Sequence, residues 1–321
     1  MLSSARFKTI DNIGDSLLSD TLETNLIEYF KWGFLNIGAF FNINIPTSGH
    51  FGGNHHQLRL GHDINYTKGK VWEAARKDWI WESGIDRATQ PIQVSGVYIN
   101  GTFVSKDSTG QYQHTIDYPN GRIIFNNALN INSVVTCEYS PRYVQVYDAS
   151  QPWFHKLQMN SFRVDDSHYS LYGSGVYSIH PSKRVQLPAM VIRVLPIEKR
   201  IPKEIGSLAT WTHKEVDLHI LTESDFELKQ LHDIIQDCYN HTIVLFNKNE
   251  IKSQQAFPLN YNGSLSSNPK TYPQLIATTG NGGFEWKTSW FENIRSFEGE
   301  VKTDKPLFYC VVRATIKTDM P

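Results

Sequence analysis

The chain reads as an α+β protein, with an antiparallel, sandwich-like β region and a helix laid over a mostly antiparallel sheet. Three stretches carry this reading. Glu215–Phe246 runs strand, helix, strand: Val216, Leu218 and Ile220 alternate with Asp217 and His219, and Leu231, Ile234, Ile235 and Cys238 then recur at three- and four-residue steps. Those are the periods of a half-buried strand and of an amphipathic helix. Pro91–Val146 is broken by Asn100-Gly101 and Asn120-Gly121, dipeptides that tolerate positive φ and join short antiparallel strands. Ile294–Lys302 and Leu307–Ile316 flank Asp304-Lys305-Pro306, which closes the chain as a hairpin. One helix over a mostly antiparallel sheet is an α+β layer.

Taken in order, residues 1–19 are interrupted by Gly, Ser and Asp and form no pattern. Asp20 with Glu23 has capping spacing, and Leu22, Leu26, Phe30, Phe34 and Ile37 mark one face of a helix. Leu35, Phe40 and Phe41 widen that face beyond what a solvent-facing helix carries, so the helix packs in the core or against a neighbouring subunit. Gly38 weakens it, and Pro46 ends the segment behind it. Residues 46–70, rich in Gly and His, read as a long loop, of a length that is usually functional or mobile. Lys70–Gly84 fits either a short helix or a strand with aromatic anchors. The β region holds strands at Ile92–Val94, Val97–Ile99, His114–Tyr118, Arg122–Phe125, Val134–Tyr139 and Tyr143–Tyr147.

Residues 148–183 have little periodicity and read as a surface excursion. Val185–Leu195 is a strand that Pro188 confines to an edge or a bulge, and Lys199–Lys203 reads as a charged linker. Ser224 with Glu227 three residues on has the spacing of a capping box, opening a helix over 224–240. Ile243–Phe246 returns as a short buried strand, and residues 247–290 form a second long loop. The chain thus divides into three regions: 1–90, a helix and extended contact arm; 91–147, an antiparallel β domain placed before the next unit or inserted in it; and 148–321, the α+β domain.

At 321 residues the chain has room for two cores. Lys plus Arg number 31 against 32 Asp plus Glu, a formal charge of -1, and this balance argues against a nucleic-acid footprint, which needs a basic face. No apolar run approaches the ~20 residues of a spanning helix, and the first residues carry no apolar signal core. Cys137, Cys238 and Cys310 are far apart and read as buried thiols. The Asn-x-Ser/Thr sequons at Asn65, Asn100, Asn240 and Asn262 are chance matches if the chain never enters a secretory route. Eight Trp, 15 Tyr and 17 Phe suit strand-rich cores and assembly interfaces alike.

Candidate sites weigh lightly. His50, His55, His56 and His62 with Asp63 offer zinc-type donors, but adjacent histidines rarely share an ion and no cysteine joins them. A solvated or interface loop is the simpler reading. Thr279–Gly283 lacks the Gly-Lys-Ser/Thr of a phosphate loop. Asp165, Asp166 and His168 have no identifiable partner, and Glu223 and Asp225 are explained by the helix start beside them. Trp72, Trp79, Trp81, Trp153, Trp286 and Trp290 can stack on sugars, yet such rings equally serve cores and interfaces.

Four stretches, LIEYFKWGFLNIGAFFNI (Leu26–Ile43), KVWEAARKDWIWESG (Lys70–Gly84), IDYPNGRIIFNNAL (Ile116–Leu129) and RVQLPAMVIRV (Arg184–Val194) leading into LHILTESDFELKQLHDIIQ, resemble virion structural proteins of tailed bacteriophages. The helix-on-sheet half also resembles the fold of phage tail-terminator and neck proteins. The resemblance implies a non-enzymatic subunit of the neck, head–tail connector or tail end, located in the virion, whose partners are copies of itself in a ring and neighbouring phage proteins. The resemblance carries over no active-site motif, so no cofactor or metal is expected, and the charge balance and hydropathy above give the expectation of no membrane and no sequence-specific nucleic-acid partner. The expected interface residues are Phe30, Trp32, Phe34, His50, His55, His56, Trp72, Trp79 and Trp81. The alternative is a receptor- or carbohydrate-binding protein of a baseplate or tail fibre. A virion-associated hydrolase would need clustered carboxylates that the sequence does not display.

Overall fold

The computed structural model describes residues 13, 17–45, 55–151, 153–154, 185–206, 209–254, 257–278, 288–298 and 307–320. In chain order the elements begin with α1 (Leu18–Asn36), β1 (Gln57–Leu60), β2 (Val71–Glu73), β3 (Gly96–Ile99) and β4 (Thr102–Ser105). They continue with β5 (His114–Asp117), β6 (Arg122–Phe125), β7 (Val135–Thr136), β8 (Gln145–Asp148), β9 (Ala189–Pro202) and β10 (Thr210–Thr222). The last are α2 (Asp225–Gln236), β11 (Thr242–Val244), α3 (Lys248–Ser253), α4 (Tyr272–Thr278), β12 (Thr288–Glu298) and β13 (Phe308–Met320).

The protein is a mixed α+β chain, mostly strand, in two curled sheets. One has seven strands in the order β4-β3-β7-β1-β2-β6-β5, the other six in the order β11-β12-β13-β10-β9-β8. Among the described residues all strand pairings are antiparallel except β8 with β9. Helix α1 precedes the first sheet in sequence but packs on β8 and β9 of the second. In sequence, the seven-stranded sheet is therefore interposed between α1 and the rest of its own layer.

Leu18, Leu22, Leu26, Phe30 and Phe34, each four residues from the next, bring α1 onto the six-stranded sheet. There they meet Met190 and Ile192 of β9, Val216, Leu218 and Ile220 of β10, and Val312, Ala314 and Ile316 of β13. Leu35 lies on another side of the helix, packed with Ile80 and Ile85, so α1 is wrapped by protein as its unusual hydrophobicity requires. Asn25 secures its middle. Its Nδ2 donates to the Phe246 carbonyl at 3.0 Å and its Oδ1 accepts from the Phe246 N–H at 2.8 Å. The helix ends at Gly38, φ +84°: the Gly38 N–H reaches the Leu35 carbonyl and the Ala39 N–H the Phe34 carbonyl, the paired bonds of a Schellman stop.

At the start of α2, Ser224 Oγ accepts from the Glu227 N–H at 3.2 Å. The Glu227 carboxylate takes the Tyr143 and Ser224 hydroxyls, so it ties the cap to the sheet side rather than reaching back to the backbone. Helix α2 spans Asp225–Gln236, four residues short of the expected end at 240. A hydrogen-bonded turn at Cys238, Tyr239 and His241 replaces its last turn.

The seven-stranded sheet encloses its own core, containing Trp72, Trp79, Ile116, Ile123, Phe125, Val135 and Tyr139. The Trp79 and Tyr139 rings stack at 4.4 Å, and the Trp79 indole N–H donates to the Arg76 carbonyl at 3.0 Å. Asn100 and Gly101 take φ of +50° and +84° in the β3–β4 turn, as a tight hairpin needs. Arg142 joins the layers: buried, it bonds the Glu82 carboxylate and donates to the Lys31 carbonyl of α1 at 3.1 Å.

Several expectations need correction. Helix α1 begins at Leu18, with Leu17 in the cap position and no side-chain cap, because the apolar stripe already starts at Leu18 and its burial outweighs a capping bond. The loop expected at 46–70 contains β1, whose Leu58 is buried in the second core. The undecided segment 70–84 supplies β2 and an isolated bridge from Trp79 to Pro141. Because β1 and β2 complete the first sheet, that sheet starts well before residue 91, and β8, expected within it, joins the other sheet. The linker expected at Lys199–Lys203 is the end of β9, which pairs through Pro202 with β10. Segment 247–290 holds α3 and α4, with Ile251, Tyr272 and Leu275 buried against Phe246.

Candidate functional site

Helices α1 and α2 lie on the same face of the six-stranded sheet, α1 over β8 and β9 and α2 over β10 and β13. Between them runs an apolar trough of two cavities that share Phe34, Ile37 and Ile234 as lining. The larger, about 300 Å³, is bounded by Tyr29, Trp32, Gly33 and Phe34 of α1, by Cys238 after α2 and by Tyr272 of α4. The smaller, about 230 Å³, continues past Gly38 and Ala39 to Tyr143, Pro188, Gln230 and Leu231.

The geometry arises from residue choice. Phe30 and Phe34 are buried in the helix–sheet core while also lining the trough, whereas Ile37, at the helix end, is 51% exposed. Gly33 lies inside α1, and a Cβ built there would meet nothing within 4 Å. A glycine inside a helix costs roughly 0.5–1 kcal/mol relative to alanine, and neither crowding nor positive φ within the chain calls for one here. The Tyr29 hydroxyl lies 4.0 Å from Cys238 Sγ. Burial pushes both groups above their usual pKa range, so the trough wall is uncharged there. Asp237 and His241 stand at one end and Glu227 at the other. This arrangement can bury apolar side chains between polar ends.

The expected interface residues divide. Phe30, Trp32 and Phe34 line the trough. Trp72 and Trp79 are 3% and 1% exposed and belong to the core of the seven-stranded sheet, and Phe30 and Phe34, at 3% and 4%, are as deeply buried in the core under the helices. Trp81 is partly buried at the margin of the seven-stranded sheet's core. His55 and His56 accept through their backbone carbonyls from the Tyr139 hydroxyl and the Cys137 N–H, each at 2.9 Å, so the chain around them serves the first sheet. His50 lies outside the described residues, as do Asp165, Asp166, His168, Thr279–Gly283 and Trp286. Among the described residues no group of three or more His, Cys, Asp or Glu is placed to hold a metal ion, and no helix is long and apolar enough to cross a membrane. Sequence reading missed the α2 wall, Ile234 and Cys238, as a surface. Gly33 was the available signal, since a helix-interior glycine marks a place where a neighbour can come close.

Compared with known proteins, the chain matches no protein-family model and no curated sequence. What fold and site define is a mixed α+β chain with an apolar trough between two helices.

Proposed function

We propose that the protein is a non-enzymatic structural subunit of a tailed-phage virion, assembling with copies of itself into a ring at the neck, head–tail connector or tail terminus. The observation that carries this reading is the open trough between α1 and α2, floored in part by Gly33 and flanked by the half-exposed Ile37. An apolar concavity of this kind gives a neighbour's apolar side chain a place to be buried. Head-to-tail ring closure also needs a complementary projection elsewhere on the subunit. The β9–β10 arm offers one, with Ile197, Ile201 and Ile205 exposed along it and at its turn. Leu26–Ile43, one of the stretches whose resemblance to phage virion proteins motivates the reading, also builds one wall of the trough.

The test is sedimentation and negative-stain microscopy of the purified full chain over a concentration series. Closed rings of one copy number are expected as concentration rises. A monomer at every concentration, alone and with the other proteins of its virion, would overturn the assembly reading.

A further inference from the structure

Independently of any assembly role, we propose that the outer face of the six-stranded sheet carries a binding site for a single neutral pyranose sugar, centred on Trp211 and Trp290. The two indoles meet at 67° with centroids 5.5 Å apart, forming an L-shaped apolar corner. Trp211 pairs across the ladder with Asp319 and Trp290 with Lys317, so both rings stand on the face opposite the side chains that meet α1 and α2. A cavity of about 210 Å³ opens at the corner, lined by Trp211, Asn240, Trp290, Glu292 and Lys317. That is one ring in size, below the span of sites built for drug-sized ligands.

The rim selects the ligand. Lys203 and Lys317 hold their ammonium groups 4.7 and 4.5 Å from the centre of the Trp211 ring, so Trp290 supplies the stacking platform. Lys317 also lies 3.5 Å from the Glu292 carboxylate, whose second oxygen meets His213 Nδ1 at 2.7 Å. Asn240, in the left-handed region at φ +58° with its backbone N–H donating to the Phe291 carbonyl at 2.8 Å, lines the corner beside Trp290. An anion entering here meets Glu292, and a cation meets Lys317. A pyranose fits both demands: its C–H face stacks on an indole, while its hydroxyls donate to Glu292 and accept from Lys317 and the Asn240 amide.

The experiment titrates the full chain with methyl glucoside, methyl galactoside, methyl mannoside and N-acetylglucosamine, with glucuronate as the charged comparison. It reads tryptophan fluorescence and saturation-transfer NMR. Saturable, millimolar binding of at least one neutral sugar is expected, weakened about tenfold or more by Trp290→Ala. Because Trp290 also pairs with Thr242 of the edge strand, Glu292→Gln provides a second variant that keeps the side-chain shape, and a several-fold loss is expected there. No saturable response to any neutral sugar, binding of glucuronate alone, or binding unchanged in both variants would each overturn the proposal.

Discussion

Substituting Gly33 separates what the isolated chain needs from what an assembly needs. In the folded monomer an alanine Cβ at this position meets nothing within 4 Å, and the backbone there is ordinary helix. Gly33→Ala therefore gains helix propensity without a clash, about 0.5–1 kcal/mol, and raises Tm by roughly 1–3 °C for a chain of this size. Gly33→Leu keeps most of that gain but projects into the trough of about 300 Å³. If a second copy seats there, the added side chain overpacks the contact at ~1–3 kcal/mol, lowering the association constant about 5- to 150-fold. Urea melts of dilute protein read the first effect, and sedimentation velocity across a concentration series reads the second. A loss of stability in Gly33→Ala would show that the space above the helix is not open. Association of Gly33→Leu equal to that of wild type would remove the trough from the interface.

Other substitutions probe the remaining framework. Gly38→Ala should act in the opposite sense to Gly33→Ala, losing about 1–2 kcal/mol for a left-handed non-glycine residue, since φ is +84° and a Cβ would stand 2.7 Å from Arg87 Nη1; an unchanged melting curve would contradict the helix stop. Trp79→Ala should cost ~3–5 kcal/mol of unfolding free energy; a variant of normal stability with altered association alone would return Trp79 to an interface role. Burial lowers the pKa of His219 from 6.5 to about 4, against the pull of Asp217 and with Arg193 and Arg313 adding to the depression. The unfolded chain then binds the proton more readily, so stability is intact above pH 6.5 and falls as pH drops toward 4, by about 3 kcal/mol in all. His219→Gln should flatten that part of the urea-midpoint profile relative to wild type, and parallel profiles would refute the assignment.

Several local signals were legible, though the Asp20–Glu23 spacing was not the cap it suggested. The Ser224 cap, the Leu231 and Ile235 stripe, and the Asn100-Gly101 turn each depend on residues a few positions apart, and each occurs in the structure. Signals that depend on partners far along the chain were not. Gln57–Leu60 becomes a strand because β7, some eighty positions on, supplies an edge. Phe30 and Trp79 are equally aromatic in sequence and the fold buries both in cores, yet Phe30 alone of the two also lines the trough. The trough itself belongs to neither helix. It is the space left when two helices on adjacent strand pairs fail to meet, and no periodicity within either segment records it.

The bonds of Asn25 to Phe246 span 221 positions of chain, and this distance bears on synthesis. On the ribosome α1 emerges first, but the strands it must cover, β8 to β13, arrive only after the whole seven-stranded sheet has been made. The nascent chain therefore carries an unsatisfied apolar helix until β8 and β9 have been made, and a truncation before residue 145 leaves that helix without either of the strands it packs on. Arrested chains of intermediate length should accordingly be the species that molecular chaperones hold and proteases clear.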